Sequence, residues 1–249
     1  MAVCGHDGSV RWSPLWEGNP RLLRPEQAVE GADFLRVTNG PRCRPYIDYG
    51  RMRWEFGVAY PNKPFNPKMR NPGLPWRFTN HRVIRGELHC FNRMAPQGYI
   101  VIEPHVKSKA SPNRVWGWKR WQTVADALDL DWVQINPPRA PLLSGVRHLP
   151  GPTFIEACRL LSGAAAYVGP EGGLYHAAAA MDIPAVAIFG GFVSPANQGY
   201  YGPGYVNLYE PMDGESPCGQ RVSCEHCTRA MAKITPQMVI AAIEQVLPR

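Results

Sequence analysis

No stretch of this 249-residue sequence approaches the roughly 20 consecutive apolar residues that a membrane-spanning helix needs. The opening MAVCGHDGSVRW also lacks the charged and apolar segments of a secretion signal, so a cytoplasmic protein without a transmembrane segment is expected. Acidic residues are in deficit, 20 Asp and Glu against 27 Lys and Arg, for a formal charge of +7. That balance favours an anionic partner such as a nucleotide, a phosphorylated sugar, nucleic acid or a membrane surface, without choosing among them. The seven cysteines form an odd set and, with no secretion signal, argue for reduced thiols rather than a disulfide framework. Internal repeats and low-complexity tracts are missing too, so a solenoid is not expected.

Helical periodicity is scarce in the first 97 residues, where Pro, Arg, Trp and Gly crowd together in NGPRCRPYIDYGRMRW and YPNKPFNPKMRNPGLPWRF. Irregular structure with a few strands is expected there. From residue 98 onward strand and helix signals alternate. YIVIEP, Tyr99 to Pro104, reads as a buried strand, and Trp121, Val124, Ala125 and Leu128 follow at helical spacing. Trp132 to Ile135 reads as another strand. Thr153 is a helix cap before Phe154, Ala157, Cys158 and Leu161. A strand to Val168, a helix from Gly172 or Gly173 and a strand over Pro184 to Phe189 come next. Thr235 and Pro236 then open a closing helix striped by Val239, Ile243, Val246 and Leu247. Such alternation predicts an α/β protein with a doubly wound parallel sheet over 98–249, preceded by a smaller domain over 1–97.

YVGPEGGLYHAAAA sets a glycine pair between a strand and four consecutive alanines. Glycines at a strand-to-helix turn let backbone N–H groups approach a ligand, and the positive end of the helix dipole favours an anion there. An ordinary tight connection is the alternative. EPHVKSKASPNRVWGWKRW leaves the Tyr99 strand at the same sheet edge and carries Lys107, Lys109, Lys119 and Arg120. Cations near a helix start are electrostatically misplaced unless an anion lies between. Lys119 is the leading phosphate candidate, against a solvated surface lysine.

Gly169 to His176 with the following AAAAMDIPAVAIFGG resembles the nucleotide-sugar half of the ADP-heptose:lipopolysaccharide heptosyltransferases, glycosyltransferase family 9. WGWKRW resembles that family's Lys-Arg-Trp segment, and SCEHCTRAMAKITPQMVIAAIEQVL its cysteine-containing tail and last helix. The resemblance covers 98–249. It implies a GT-B-like fold of two Rossmann-type lobes and inverting, metal-independent transfer from a nucleoside-diphosphate sugar, ADP- or UDP-linked. It further implies that Glu171, Gly172 and Gly173 hold the donor phosphates through backbone amides, that His176 is the signature histidine and that Lys119 assists, with Lys107 and Lys109 nearby. Glu171 and Gly172 replace the family's aspartate and threonine, which keeps the backbone donors and removes one hydroxyl.

The family begins with a strand, a glycine-rich turn and a general-base aspartate, whereas CGHDGSVRWSPLWEGNPRLL looks like its second strand onward, so a truncated N-terminal α/β lobe is expected. Asp7 and Asp48, in turn-like contexts, are the substitute bases, ahead of His6 and His105. Arg42 and Arg44 can clamp an anionic acceptor, or belong to a proline-stiffened surface loop. Cys218, Cys224 and Cys227 are spaced C-x5-C-x2-C around His226, half of a two-knuckle pattern, for a structural zinc or iron or else free thiols in a loop. Trp118 and Trp121 read mainly as packing, and Tyr200, Tyr201 and Tyr205 as ligand-stacking candidates in a loop able to close over a donor.

The expectation is a glycosyltransferase using a nucleotide-sugar donor and a saccharide or nucleic-acid acceptor, with no catalytic cofactor. The alternative is a non-catalytic nucleotide or sugar binder, or an assembly subunit. A homo-oligomer or a partner chain is one way to supply the missing strand.

Overall fold

The computed structural model describes residues 2–4, 12–20, 22–27, 34–36, 87–107, 111–136, 140–210 and 222–247. Near the N-terminus β1 (Ala2–Cys4) and β2 (Phe34–Arg36) pair in parallel, Ala2 opposite Phe34. The larger body is a six-stranded, all-parallel sheet in the order β5-β4-β3-β6-β7-β8. Its strands are β3 (Ile100–Ile102), β4 (Trp132–Asn136), β5 (Arg147–Pro150), β6 (Ala166–Pro170), β7 (Ala185–Phe189) and β8 (Tyr205–Tyr209). The chain starts in the middle, winds outward to β5, then returns beside β3 and winds the other way. This is the doubly wound Rossmann order, and its direction reverses between β3 and β6.

The central strands are apolar throughout because both of their faces are covered. Every residue of β6 and β7 is buried. Alternate side chains divide between two cores. Tyr99, Val101, Tyr167, Ala185, Ala187 and Phe189 face α2 (Phe154–Leu161) and α3 (Gly173–Ala180). Ile100, Ile102, Val168, Val186 and Ile188 face α1 (Trp118–Ala127) and α6 (Pro236–Val246). Each fully buried Val or Ile is worth about 1.5–3 kcal/mol.

Helix ends carry local signals. Thr153 and Glu156 form a capping box on α2, and the Thr235 hydroxyl accepts from Met238 N at 3.3 Å with Pro236 at the first position of α6. Ala177, Ala178 and Ala179 are buried, so the short side chains let α3 lie close to the sheet. That helix closes with Asp182 at φ +61°, its N–H bonded to Ala179 O and that of Ile183 to Ala178 O. This is a Schellman stop built on Asp rather than Gly.

The elements expected from periodicity are present with ends shifted by a residue or two. Three others were not anticipated: β5, β8 and α5 (Glu225–Lys233). The two strands are edges whose residues are partly buried or exposed, so they lack an apolar run, and α5 is mostly polar. A four-residue helix, α4 (Pro195–Gln198), interrupts the loop between β7 and β8. Trp121 is core as expected. Trp118, one turn earlier, is 36% exposed and is not a packing residue.

Candidate functional site

The winding reverses between β3 and β6, and the carboxyl ends of these two strands are the standard position for a ligand crevice in such sheets. A cavity of about 650 Å³ opens there. Glu103 follows β3, Glu171 follows β6, and Arg114 enters from the turn before α1; all three line it with His105, Lys107, Gly172, Gly173 and His176.

Gly169 allows the two strands to approach. A Cβ at that position would collide with Tyr167 Oη and lie 3.0 Å from the Glu103 carbonyl. Tyr167 Oη donates to Pro170 O at 3.1 Å, and burial pushes its pKa well up, with the Glu103 and Glu171 carboxyls adding to the effect. The glycine pair divides its roles. A Cβ on Gly173 would stand 2.9 Å from the Phe154 ring, so this glycine is a packing requirement between α3 and α2. Gly172 caps α3 in extended backbone with no side-chain cap, and the nearest atom to a Cβ there would be Arg114 Nη1 at 3.8 Å. No side chain therefore covers the start of α3, where unpaired backbone N–H groups are expected, and the Arg114 guanidinium is the nearest group to it.

Glu171 is 7% exposed and is held from two sides. Arg114 Nη1 lies 3.3 Å from its Oε2 and donates to its carbonyl at 3.2 Å; His176 Nε2 lies 3.3 Å from its Oε1. The Arg114 guanidinium also sits over the Phe192 ring at 5.0 Å. The His176 ring is oriented by Tyr200, with Nδ1 and the hydroxyl 3.0 Å apart. Tyr200 is fixed in turn, because Tyr175 Oη accepts from its N–H at 2.8 Å and donates to Asn207 Oδ1 at 2.6 Å. Burial drives the Tyr175 pKa up, which keeps the hydroxyl a donor. A line of contacts thus joins β8 to the cavity.

Glu103 is the other carboxyl. Its Oε1 accepts from His105 N at 2.9 Å, while Oε2 is buried with no hydrogen-bond partner. Burial pushes its pKa up to about 8, only partly offset by the His105 N–H. At neutral pH this carboxyl holds its proton.

The candidates read from the sequence are distributed as follows. Glu171, Gly172, Gly173, His176 and Lys107 share the cavity. Lys119 lines a second hollow of about 450 Å³, between the start of α1 and α5, with Trp116, Trp118, Arg120, Cys227 and Thr228. Asp7, Asp48, Arg42, Arg44, Lys109 and Cys218 lie outside the described residues. Tyr200 is buried in the support behind His176, Tyr205 begins β8, and Tyr201 is 61% exposed. Sequence reasoning missed Glu103 and Arg114. A carboxyl directly after an apolar strand was the available signal for Glu103; Arg114 sat unnoticed among lysines in the segment already singled out.

Cys224, His226 and Cys227 form a separate buried cluster at the start of α5, with their ligating atoms within 4.8 Å of one another. Cys227 Sγ and His226 Nδ1 are 3.6 Å apart. A tetrahedral ion with metal–ligand bonds of about 2.0–2.3 Å requires an edge of roughly 3.6 Å, so two thiols and an imidazole here fit zinc or iron with one further ligand. Asn113 holds this segment to the turn before α1, accepting from Cys224 N at 3.0 Å and donating to Val222 O at 2.8 Å. Both the cluster and the cavity are therefore anchored within two residues of one another on the 112–114 turn.

Fold and site together define an α/β protein with a ligand crevice at the switch point of a doubly wound sheet. A family model described as glycosyltransferase family 9 (heptosyltransferase) matches residues 141–228, which run from before β5 through the glycine turn to the cysteine cluster. No curated protein matches the chain. Among solved structures it is similar to the iron-containing dodecameric glycosyltransferase TibC from enterotoxigenic E. coli, at 20% identity and TM-score 0.49, over 64% of this chain and 49% of that one. It is also similar to E. coli ADP-heptose LPS heptosyltransferase II, at 20% identity and TM-score 0.46, over 61% and 47%. A third is E. coli heptosyltransferase WaaC with ADP, at 18% identity and TM-score 0.44, over 78% and 53%. The matched part of this chain spans about half the length of these structures. Among the described residues no helix is long and apolar enough to cross a membrane.

Proposed function

We propose that the chain is a glycosyltransferase that moves a sugar from an ADP- or UDP-linked donor to an acceptor, with inversion and without a metal in the transfer step. One observation carries the reading: the open first turn of α3, with Arg114 beside it, lies at the switch point within the segment that matches the family model. Departure of a nucleoside diphosphate concentrates negative charge. Preorganised amides and a guanidinium favour that charge more in the transition state than in the ground state. Lys107 adds a cation at the cavity itself, and Lys119, from the neighbouring hollow, and Lys109 belong to the same proposal. Asp48 or Asp7 would take the acceptor's proton and Arg42 and Arg44 would hold an anionic acceptor, in an N-terminal lobe ending near residue 97. The acceptor is a saccharide or a nucleic acid, and only the latter predicts a steep fall of acceptor affinity with salt. A cytoplasmic location and a homo-oligomeric assembly complete the reading.

A non-catalytic nucleotide binder is favoured by a different observation. Neither carboxyl of the described cavity is a ready base, since Glu171 is engaged by Arg114 and His176 and Glu103 holds its proton. For the cysteine cluster we propose a structural zinc or iron bound by Cys224, His226 and Cys227 with Cys218 as a fourth ligand, tying α5 to the 112–114 turn.

Calorimetric titration with ADP, UDP, GDP, CDP and their sugar conjugates tests the donor site, with Lys119→Ala and Arg114→Met as controls. Binding of one nucleotide, weakened in the variants, supports the site, and sugar transfer from its conjugate separates enzyme from binder. Failure of every nucleotide to bind rejects both readings.

A further inference from the structure

Two buried polar groups bordering the cavity lack a hydrogen-bond partner, Glu103 Oε2 and Arg114 Nε, and Glu171 Oε2 has only the off-axis Arg114 contact at 3.3 Å. A buried polar group left unpaired is destabilising, so two of them on residues that line one cavity point to a ligand that pairs with them when their side chains turn toward it. Arg114 Nε can only donate. Glu103 is 5% exposed, has Oε1 committed to the His105 N–H, and lines the same cavity.

We propose that Glu103 serves as a hydrogen-bond donor, its Oε2–H binding a phosphate oxygen of the ligand alongside Arg114 Nε–H. The inference rests on reading the cavity as a nucleoside-diphosphate site and adds a neutral donor to it. A carboxylate at this place would repel the phosphate, whereas a carboxylic acid supplies a directed bond and no charge. The surroundings keep it in that form. Glu103 emerges from the core at the end of β3, with Tyr167 of β6 behind it, Glu171 after β6, His176 on α3 and Arg114 on the turn before α1; His105 and Lys107 follow on its own segment. No carboxylate in the described cavity is then left to oppose an anion except Glu171, which Arg114 and His176 offset.

The chemistry sets the pH response. Burial raises the Glu103 pKa to about 8, so the donor form is lost as pH climbs through that value. Affinity scales with the protonated fraction, which falls about eightfold between pH 7.5 and 9. The test is titration of the full-length protein with inorganic pyrophosphate and with the nucleoside diphosphate that binds best, at pH 7.5 and 9. Wild type is expected to weaken about eightfold over that interval. E103Q keeps a neutral donor and every other titratable group of the cavity, so it is expected to change less than twofold; E103A is expected to be weaker than E103Q at pH 7.5. Independently of any variant, wild type at pH 9 is expected to take up close to one proton per ligand bound, read from buffers of different ionisation enthalpy. Parallel pH profiles for wild type and E103Q, or no proton uptake, overturn the role of Glu103 and leave the nucleotide site standing. Absence of binding by pyrophosphate and every nucleotide overturns both.

Discussion

Arg114→Met removes the cation that holds the Glu171 carboxylate at the end of β6 and leaves an apolar stem against the Phe192 ring. The Glu171 side chain is 7% exposed and that of Arg114 19%, so the pair is largely out of water, and the guanidinium also binds the Glu171 carbonyl at 3.2 Å. Breaking a buried pair from one side costs about 3–5 kcal/mol, most of it the penalty of a stranded charge. Here the lower end applies, about 3 kcal/mol, because His176 still faces Oε1 at 3.3 Å and Arg114 retains some contact with water. Glu171→Gln strands only the more exposed partner, at about 1 kcal/mol, and the double variant strands neither and stays near that value. The expected coupling is therefore about 2–3 kcal/mol. Urea unfolding of the four proteins at pH 7, followed by far-UV circular dichroism and tryptophan fluorescence, gives the cycle. Additive single and double variants, or an Arg114→Met loss below about 0.5 kcal/mol, would show that the pair is a surface contact and refute the argument.

Glu103 gives stability a sign. The fold retains a proton that the unfolded chain releases near 4.5, so between that value and about 8 the unfolded state binds fewer protons. Stability is expected to fall as pH rises through this window, by up to roughly 5 kcal/mol relative to E103Q; equal slopes for the two proteins in urea titrations at pH 5.5, 7 and 8.5 would contradict it. Gly169→Ala forces a methyl against Tyr167 Oη and the Glu103 carbonyl and should cost about 1–3 kcal/mol or more in chemical denaturation, whereas Gly172→Ala, facing open space in extended backbone, should cost under about 0.5 kcal/mol. Elemental analysis of purified protein should find close to one zinc or iron per chain, lost in Cys224→Ser and in Cys227→Ser, with chelator lowering the melting temperature of wild type alone; a metal-free wild type would leave the cluster as buried thiols.

The sequence by itself determined the doubly wound body and its turn. Continuous apolar runs at β3, β6 and β7 read as strands covered on both sides, Thr153 and Thr235 announced helix starts, and GPEGG before four alanines marked the strand-to-helix connection. These signals are local, carried by neighbours along the chain. The edge strands β5 and β8 escaped because half-buried residues give no strong period, and Trp118 was misjudged because helical spacing tells which residues share a face but not whether a neighbour covers it. Only the tertiary structure decided the chemistry of the cavity. Glu103 and Glu171 are alike in sequence, yet one lies without a cation and keeps its proton while the other lies between Arg114 and His176. Both are buried alike, so the difference arises from partners, above all Arg114, 57 residues from Glu171 in the chain, a distance over which the linear order carries no electrostatic information.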